Sequence, residues 1–195
     1  MERLRQPDAF GVQRDLVAEL LREPAVALLA AETRHGGIWL ANSGGEARVL
    51  VDVDRDAMAY EQITGDPLIM GRSWSASPRE WLEATWDGAF PDAPFQLHDQ
   101  FRSHRSGDLL VIAREGYDFR ARYEVPEHKA GHGSLIRGHM QTPVWSSLPL
   151  PEAPLRTVDL FPSMLSWLGA PIPPGIDGEL IWQPGVEPAP IPAMV

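Results

Sequence analysis

Three short apolar runs, separated by turns of only a few residues, constrain the fold of this chain more than any other feature. The runs are Ala25–Ala31, Ile38–Ala41 and Ala47–Val53, with Gly36-Gly37 before the middle run and Asn42–Gly45 after it. A run of this length is too short for a helix of its own and is typical of a strand. The segment from about residue 25 to residue 70 is therefore predicted to form a small β-meander.

Apolar spacing and capping residues predict helices on both sides of this meander. In these predicted helices apolar residues recur every three or four positions, and an N-cap residue, a proline or a glycine marks a helix end. The predicted helices are Phe10–Leu21, a helix that begins after Ser77, Pro94–Phe101 and Asp159–Leu168.

Leu109–Ala113 is the most apolar run in the chain. A run without polar residues is typical of a strand that is buried on both faces, so this segment is predicted to be a central strand of a parallel or mixed sheet. Pro143–Trp145 is predicted to be a further strand. The order of these elements indicates a mixed α/β fold.

Composition excludes several classes of function. The 195-residue chain has a formal net charge of −10, which argues against nucleic acid as a partner because phosphate recognition requires a concentrated basic face. It has no cysteine, which excludes disulfides, thiol nucleophiles and thiolate metal sites. No stretch approaches the ~20 apolar residues of a membrane span, and the N-terminus does not read as a signal peptide. The chain is therefore expected in the cytoplasm, without a membrane partner.

A polar loop, Glu124–Met140, contains half of the six histidines: His128, His132 and His139. Glycines flank His132 on both sides, and glycine disfavours a helix by about 1 kcal/mol relative to alanine. A histidine between two glycines suggests a sharp turn that points the imidazole at a ligand, and neutral imidazole is the commonest metal ligand. The alternative is a polar loop whose histidines face water.

Five motifs then follow one another along the chain: Gly107–Val111, Gly131–Ser134, Arg156–Ser163, Leu168-Gly169 and Gly175–Gly178. In this order they resemble the C-terminal part of the alkaline phosphatase superfamily, in its phosphodiesterase/nucleotide-pyrophosphatase-like and sulfatase-like branches. Tyr60–Pro67 is similar to a stretch of the accessory subdomain in that superfamily. The resemblance implies a truncated alkaline-phosphatase-like mixed sheet with flanking helices and a meander. The predicted domain covers residues 1–184, and residues 185–195 are predicted to be a flexible proline-rich tail.

The resemblance implies that His132 is a ligand of a divalent metal ion, usually zinc, with manganese as the alternative. His128 and His139 flank it and are predicted as further ligands or as groups that orient the site. His98 and Asp99 are predicted to complete the metal site. The alternative for this last pair is a solvated helix end.

His132, His128 and Arg137 are the predicted catalytic residues. Arg137 would meet an anionic substrate through its bidentate guanidinium, or it is an ordinary surface arginine. Ser134 lies near His132 and is an alternative nucleophile, but no Gly-x-Ser-x-Gly elbow surrounds it. The substrate is predicted to be a small anionic or neutral ester, namely a phosphodiester, a phosphotriester or a sulfate ester.

Part of the superfamily pattern is missing from this chain. The nucleophile, an early aspartate ligand and a later Asp-His pair precede the matched region in the superfamily, and nothing in residues 1–60 resembles them. Two functions therefore remain. One is a metal-dependent hydrolase of phosphate esters, and the other is a non-catalytic, oligomerising remnant. Both predict a homo-oligomer, because an apolar edge around Leu109–Ala113 would invite pairing with a second copy.

Overall fold

The computed structural model of this chain describes residues 15–119 and 133–182. The chain divides into two units, Met1–Gln141 and Thr142–Val195. The predicted domain limits, 1–184 with a tail over 185–195, stay a prediction, and the tail lies outside the described residues. None of the helices in the described ranges is long and apolar enough to cross a membrane.

A six-stranded antiparallel sheet forms the centre of the first unit, and its strand order is β5-β4-β3-β2-β1-β6. The strands are β1 Val26–Glu32, β2 Ile38–Asn42, β3 Gly45–Asp52, β4 Ala57–Gly65, β5 Trp74–Ala76 and β6 Leu110–Ala113. The helices of this unit are α1 Leu16–Arg22, α2 Pro78–Thr85, α3 Ala93–Arg102 and α4 Arg137–Met140, and the second unit has α5 Leu160–Trp167. The predicted α/β content is therefore confirmed, but the predicted mixed sheet is wrong, because every strand pair in the described ranges is antiparallel.

The three predicted strands of the meander are confirmed as β1, β2 and β3, and β4 extends the meander by pairing with β3. Asn42 closes the tight turn between β2 and β3, because its side-chain oxygen accepts a hydrogen bond from Gly44 N–H at 2.7 Å. The amide nitrogen of the same side chain donates to the Pro67 carbonyl at 2.8 Å. Gly45 has a φ of 138° and lies against the Thr64 carbonyl, where a side chain would clash. These contacts set the register of β2, β3 and β4.

Both faces of the sheet are covered at β1, which explains why this strand reads as an almost continuous apolar run. Along β1, Leu28 and Ala30 belong to a core cluster on one face, whereas Leu29 and Ala31 belong to a cluster on the other. Side chains of α2 and α3 join the first cluster, and Val17 of α1 joins the second. Alternate residues of a strand point to opposite faces. Because both faces are buried here, apolar residues occupy the positions on each of them.

The predicted central strand at Leu109–Ala113 is wrong, because β6 lies at an edge of the sheet. In the described part of the chain β6 pairs with β1 alone, and the pairing is antiparallel. Ile112 belongs to the core cluster on one face, and Val111 packs against the cluster on the other. Burial of both faces makes a strand apolar whether or not it has a second neighbour. An apolar run in the sequence therefore indicates that both faces of the strand are buried, but it does not indicate where the strand lies in the sheet.

The strand predicted at Pro143–Trp145 is also wrong. These residues have no regular structure, and the Trp145 side chain is 91% exposed. A strand requires a neighbour for its N–H groups, and Pro143 has no N–H to donate. Apolar character alone was not sufficient to predict a strand here.

The predicted helices that follow the meander in the chain are confirmed. Helix α2 begins after Ser77, as predicted, with a capping box in which Ser77 N–H donates to the Glu80 carboxylate at 2.8 Å and Glu80 N–H donates to Ser77 Oγ at 3.3 Å. Helices α3 and α5 cover the predicted segments, and α5 is followed by Gly169 with a φ of 67°. The predicted start of the first helix at Phe10 is wrong, because α1 begins at Leu16 and the Asp15 side chain caps it by accepting a 3.0 Å hydrogen bond from Ala18 N–H. The predicted residues before position 15 lie outside the described ranges.

Trp81 of α2 is fully buried and joins this helix to the sheet. Its indole Nε1–H donates to the Met58 carbonyl of β4 at 2.9 Å. Its ring centroid lies 3.8 Å from that of Trp74 on β5, with the two planes tilted by 41°. One side chain thus supplies apolar contact, an aromatic pair and a hydrogen bond to the strand.

A hydrogen-bond network centred on Asp66 holds the loop that follows β4. The buried Tyr60 hydroxyl donates to Asp66 Oδ1 at 2.6 Å, and Gly71 N–H donates to Asp66 Oδ2 at 2.6 Å. Burial raises the pKa of the Asp66 carboxyl, but hydrogen bonds from Tyr60, Gln62 and two backbone N–H groups outweigh it and lower the pKa. Burial and the same hydrogen bond raise the pKa of Tyr60, so the phenol stays protonated.

An Asp66→Asn variant is expected to be less stable than the parent chain by about 1–2 kcal/mol at pH 7, because hydrogen bonds to a carboxylate are stronger than those to an amide. The folded pKa of Asp66 is lowered. The stability that the ionised Asp66 carboxylate contributes is therefore fully present above the unfolded pKa of about 4. It is lost as the pH falls through the folded pKa. Urea unfolding at several pH values measures this difference, with the exposed Asp54→Asn change as control. A difference between parent and variant that does not shrink below pH ~4 would contradict the assignment.

The second unit is organised around the buried Asp159 and Ser163 at the start of α5. Asp159 Oδ2 accepts a hydrogen bond from Arg156 N–H at 2.8 Å, and its Oδ1 accepts one from Glu179 N–H at 2.9 Å. Ser163 Oγ accepts a hydrogen bond from Ile181 N–H at 2.7 Å. These two side chains bind the segment after Gly178 to α5. Asp159 directly precedes α5, but its carboxylate accepts no hydrogen bond from the first turn of that helix.

Candidate functional site

The described part of the predicted site is the segment 133–141, which contains α4. His128 and His132, the two histidines on which the metal prediction chiefly depends, lie outside the described residues. Of the other predicted site residues, His139 and Arg137 lie on α4, and His98 and Asp99 lie on α3.

The structure brings Ser134 and His139 together. Ser134 Oγ lies 3.1 Å from His139 Nδ1, within hydrogen-bonding distance. The same oxygen accepts a 3.4 Å hydrogen bond from Ile136 N–H. The imidazole is exposed and the serine is half-buried, so the pair lies at the surface with its oxygen partly shielded.

Gly133 allows the chain to pass directly against His139. A Cβ at position 133 would lie 2.9 Å from the His139 carbonyl oxygen and 3.3 Å from His139 Cβ. Only glycine fits this approach without displacement of the backbone. The requirement for glycine at 133 is thus a packing requirement, and His132 is the residue that precedes it in the chain.

Arg137 anchors α4 to the loop after α2. Its guanidinium donates to the Asp87 carbonyl at 3.1 Å and to Asp87 Oδ1 at 2.6 Å. Arg137 N–H donates to the Ala89 carbonyl at 3.1 Å, and the Gln141 side chain donates to the Trp86 carbonyl at 2.8 Å. The structure therefore gives Arg137 a positioning role. Its predicted contact with an anionic substrate stays a prediction.

His98 and Asp99 are neighbours on α3 and have different surroundings. Burial lowers the pKa of His98, the charge of Arg102 lowers it further, and Asp99 acts in the opposite direction. The Asp99 carboxylate accepts a hydrogen bond from Arg102 at 3.1 Å. The neutral imidazole favoured here is the form that binds metal.

Across residues 15–119 and 133–182, no group of three or more histidine or acidic side chains is arranged to hold a metal ion. The predicted ligands His98, Asp99 and His139 therefore do not form such a group with one another. The metal prediction then depends on His128 and His132.

Sequence reasoning missed two contacts of this site. The Arg137–Asp87 pair joins residues 50 positions apart, and no local pattern reports such a contact. The Ser134–His139 pair spans five positions, a spacing that belongs to neither a helix nor a strand. The glycines at 131 and 133 were the available signal, because they indicate that the backbone turns sharply.

Comparison of the chain with protein-family models, with curated proteins and with solved structures found no match. The resemblance to the alkaline phosphatase superfamily therefore rests on the motifs alone and stays a prediction.

Proposed function

We propose that residues 128–139 carry the site of a metal-dependent hydrolase that acts on phosphodiesters, phosphotriesters or sulfate esters. The observation that carries this proposal is the 3.1 Å contact between Ser134 Oγ and His139 Nδ1. A metal-binding histidine donates its second ring N–H to a nearby acceptor, which fixes the tautomer and the ring orientation. With Ser134 as the acceptor at Nδ1, the Nε2 lone pair of His139 is left for a metal ion.

In this proposal His132 and His128 supply further imidazole ligands on the chain that leads into Gly133. When bound, a zinc or manganese ion would supply Lewis acidity toward a phosphoryl oxygen. His139 is oriented by Ser134, and α4 is held in place by the Arg137–Asp87 pair. The order of motifs from Gly107 to Gly178 supports the finer fold assignment, a truncated alkaline-phosphatase-like domain.

The purified chain is expected to contain zinc or manganese by elemental analysis and to hydrolyse an activated phosphodiester until a chelator is added. Loss of one imidazole in His132→Ala or His139→Gln is expected to abolish both properties. Ser134→Ala, which removes only the orienting group, is expected to weaken metal binding about 10- to 100-fold. Elemental analysis and turnover of bis(p-nitrophenyl) phosphate measure these effects.

His104→Gln is the matched control, because His104 is an exposed histidine outside the segment. It is expected to retain metal and activity. A metal-free parent chain, or metal content unchanged in His132→Ala and His139→Gln, contradicts the hydrolase proposal.

The second candidate function is a non-catalytic, oligomerising module. The position of β6 at the end of the sheet order favours it, because an edge strand offers N–H and C=O groups to another chain. A metal-free, inert protein that forms homo-oligomers in light scattering supports this candidate. A monomer contradicts the pairing of β6 with a second copy.

A further inference from the structure

We propose that Ser134 and His139 form a nucleophile–base pair that cleaves activated carboxylic esters without a metal ion. The first observation is their 3.1 Å Oγ–Nδ1 contact, which lies within the distance at which an imidazole accepts a serine proton. This activity uses the tautomer opposite to the one that binds metal. It is therefore a property of the metal-free protein and does not depend on the hydrolase proposed above.

Both residues lie on a segment that is tied to the rest of the first unit at several points. The Arg137–Asp87 pair and the Gln141–Trp86 hydrogen bond hold α4 on the loop after α2. Leu135, which follows Ser134 and precedes α4, packs against the main core cluster. A catalytic pair requires this support, because its geometry must hold within about 0.5 Å.

Backbone N–H groups around Ser134 suit a developing negative charge. Ile136 N–H already donates to Ser134 Oγ at 3.4 Å, which favours the alkoxide. Leu135 N–H, the donor of the next residue along the chain, has no acceptor within the ranges that the structure describes. The N–H that follows a nucleophilic serine is one of the usual donors to the oxyanion in acyl transfer.

The reaction has two steps. Ser134 Oγ attacks the ester carbonyl carbon while its proton passes to His139 Nδ1, and the bond to the leaving alkoxide breaks as the alkoxide takes that proton. Water then attacks the acyl-serine, transfers a proton through His139 back to Ser134 Oγ, and releases the carboxylic acid. No oxidant, reductant or cofactor is needed. The imidazole is exposed and the serine is half-buried, so a small activated ester is the substrate class that fits this pair.

A fluorophosphonate probe tests this proposal directly, because it forms a stable covalent bond with an activated serine. The full chain is treated with the probe in the presence of a chelator, and labelled peptides are quantified by mass spectrometry. Ser134 is expected to react at least ~100-fold faster than Ser146, in the range that a positioned base contributes. Ser146 is the matched control within the same chain, because its Oγ accepts a 2.9 Å hydrogen bond from Leu148 N–H in the same local turn. Among the residues that the structure describes, no histidine forms a hydrogen bond with it.

His139→Gln is expected to reduce the labelling of Ser134 to the rate of Ser146, whereas His104→Gln leaves it unchanged. Ser134→Ala removes the label, and if that variant does not fold, the His139→Gln comparison still decides. Equal labelling of Ser134 and Ser146 in the parent chain overturns the proposal. So does labelling of Ser134 that persists in His139→Gln. Because a chelator is present throughout, a failure here is distinct from a failure of the metal-dependent activity.

Discussion

Trp81→Ala is expected to destabilise the first unit by about 3–5 kcal/mol, the range for removal of a buried tryptophan. The ring is fully buried, so its loss leaves a cavity between α2 and the sheet. The change also removes the donor to the Met58 carbonyl and the aromatic partner of Trp74. Chemical denaturation followed by circular dichroism measures the effect.

Two further variants separate the contributions of Trp81. Trp81→Phe keeps an aromatic ring but leaves the Met58 carbonyl without its donor, so we expect an intermediate loss of about 1–3 kcal/mol. Trp145→Ala deletes the same side chain where it is 91% exposed, and the expected change is within about 0.5 kcal/mol. A loss for Trp81→Ala no larger than that of Trp145→Ala would mean that α2 does not pack on β4 as described.

Asp159→Asn is expected to destabilise the second unit by about 2–3 kcal/mol. Asp159 is buried and accepts hydrogen bonds on both carboxylate oxygens, from Arg156 N–H and Glu179 N–H. In asparagine one oxygen becomes an NH₂ group, which faces a backbone donor and leaves it unsatisfied. Hydrogen exchange of peptides from residues 156–182 is therefore expected to accelerate about 30- to 150-fold.

The exposed Glu152→Gln change controls for the loss of one negative charge in the same unit and is expected to have no effect on exchange. Peptides from the sheet of the first unit serve as an internal reference for Asp159→Asn. If exchange over residues 156–182 matches the parent chain, the Asp159 carboxylate does not hold the segment after Gly178 against α5.

The two activities proposed for the segment 128–139 make opposite demands on one imidazole. Metal binding requires a proton on His139 Nδ1, donated to Ser134, whereas the nucleophile–base pair requires a lone pair there. A chelator therefore separates them: it abolishes the first activity and leaves the second. Ser134→Ala is expected to weaken metal binding and to abolish ester cleavage, so one variant affects the two activities to different degrees.

Local chemistry was sufficient to predict most elements of this fold from sequence. The short apolar runs predicted the strands of the meander, and Ser77-Pro78 with Glu80 predicted the start of α2 to the residue. Capping boxes and tight turns are made by residues a few positions apart, so their signals are contained in the sequence itself.

Contacts between distant residues were not predictable in this way. The apolar run at 109–113 indicates two buried faces, but only the folded sheet shows that β6 is an edge strand beside β1. The sequence by itself determined the α/β class, the first three strands of the meander and the start of α2. Only the tertiary structure decided the place of β6, the pairing of Arg137 with Asp87 and the meeting of Ser134 with His139, because such contacts depend on how the chain packs and not on local propensity.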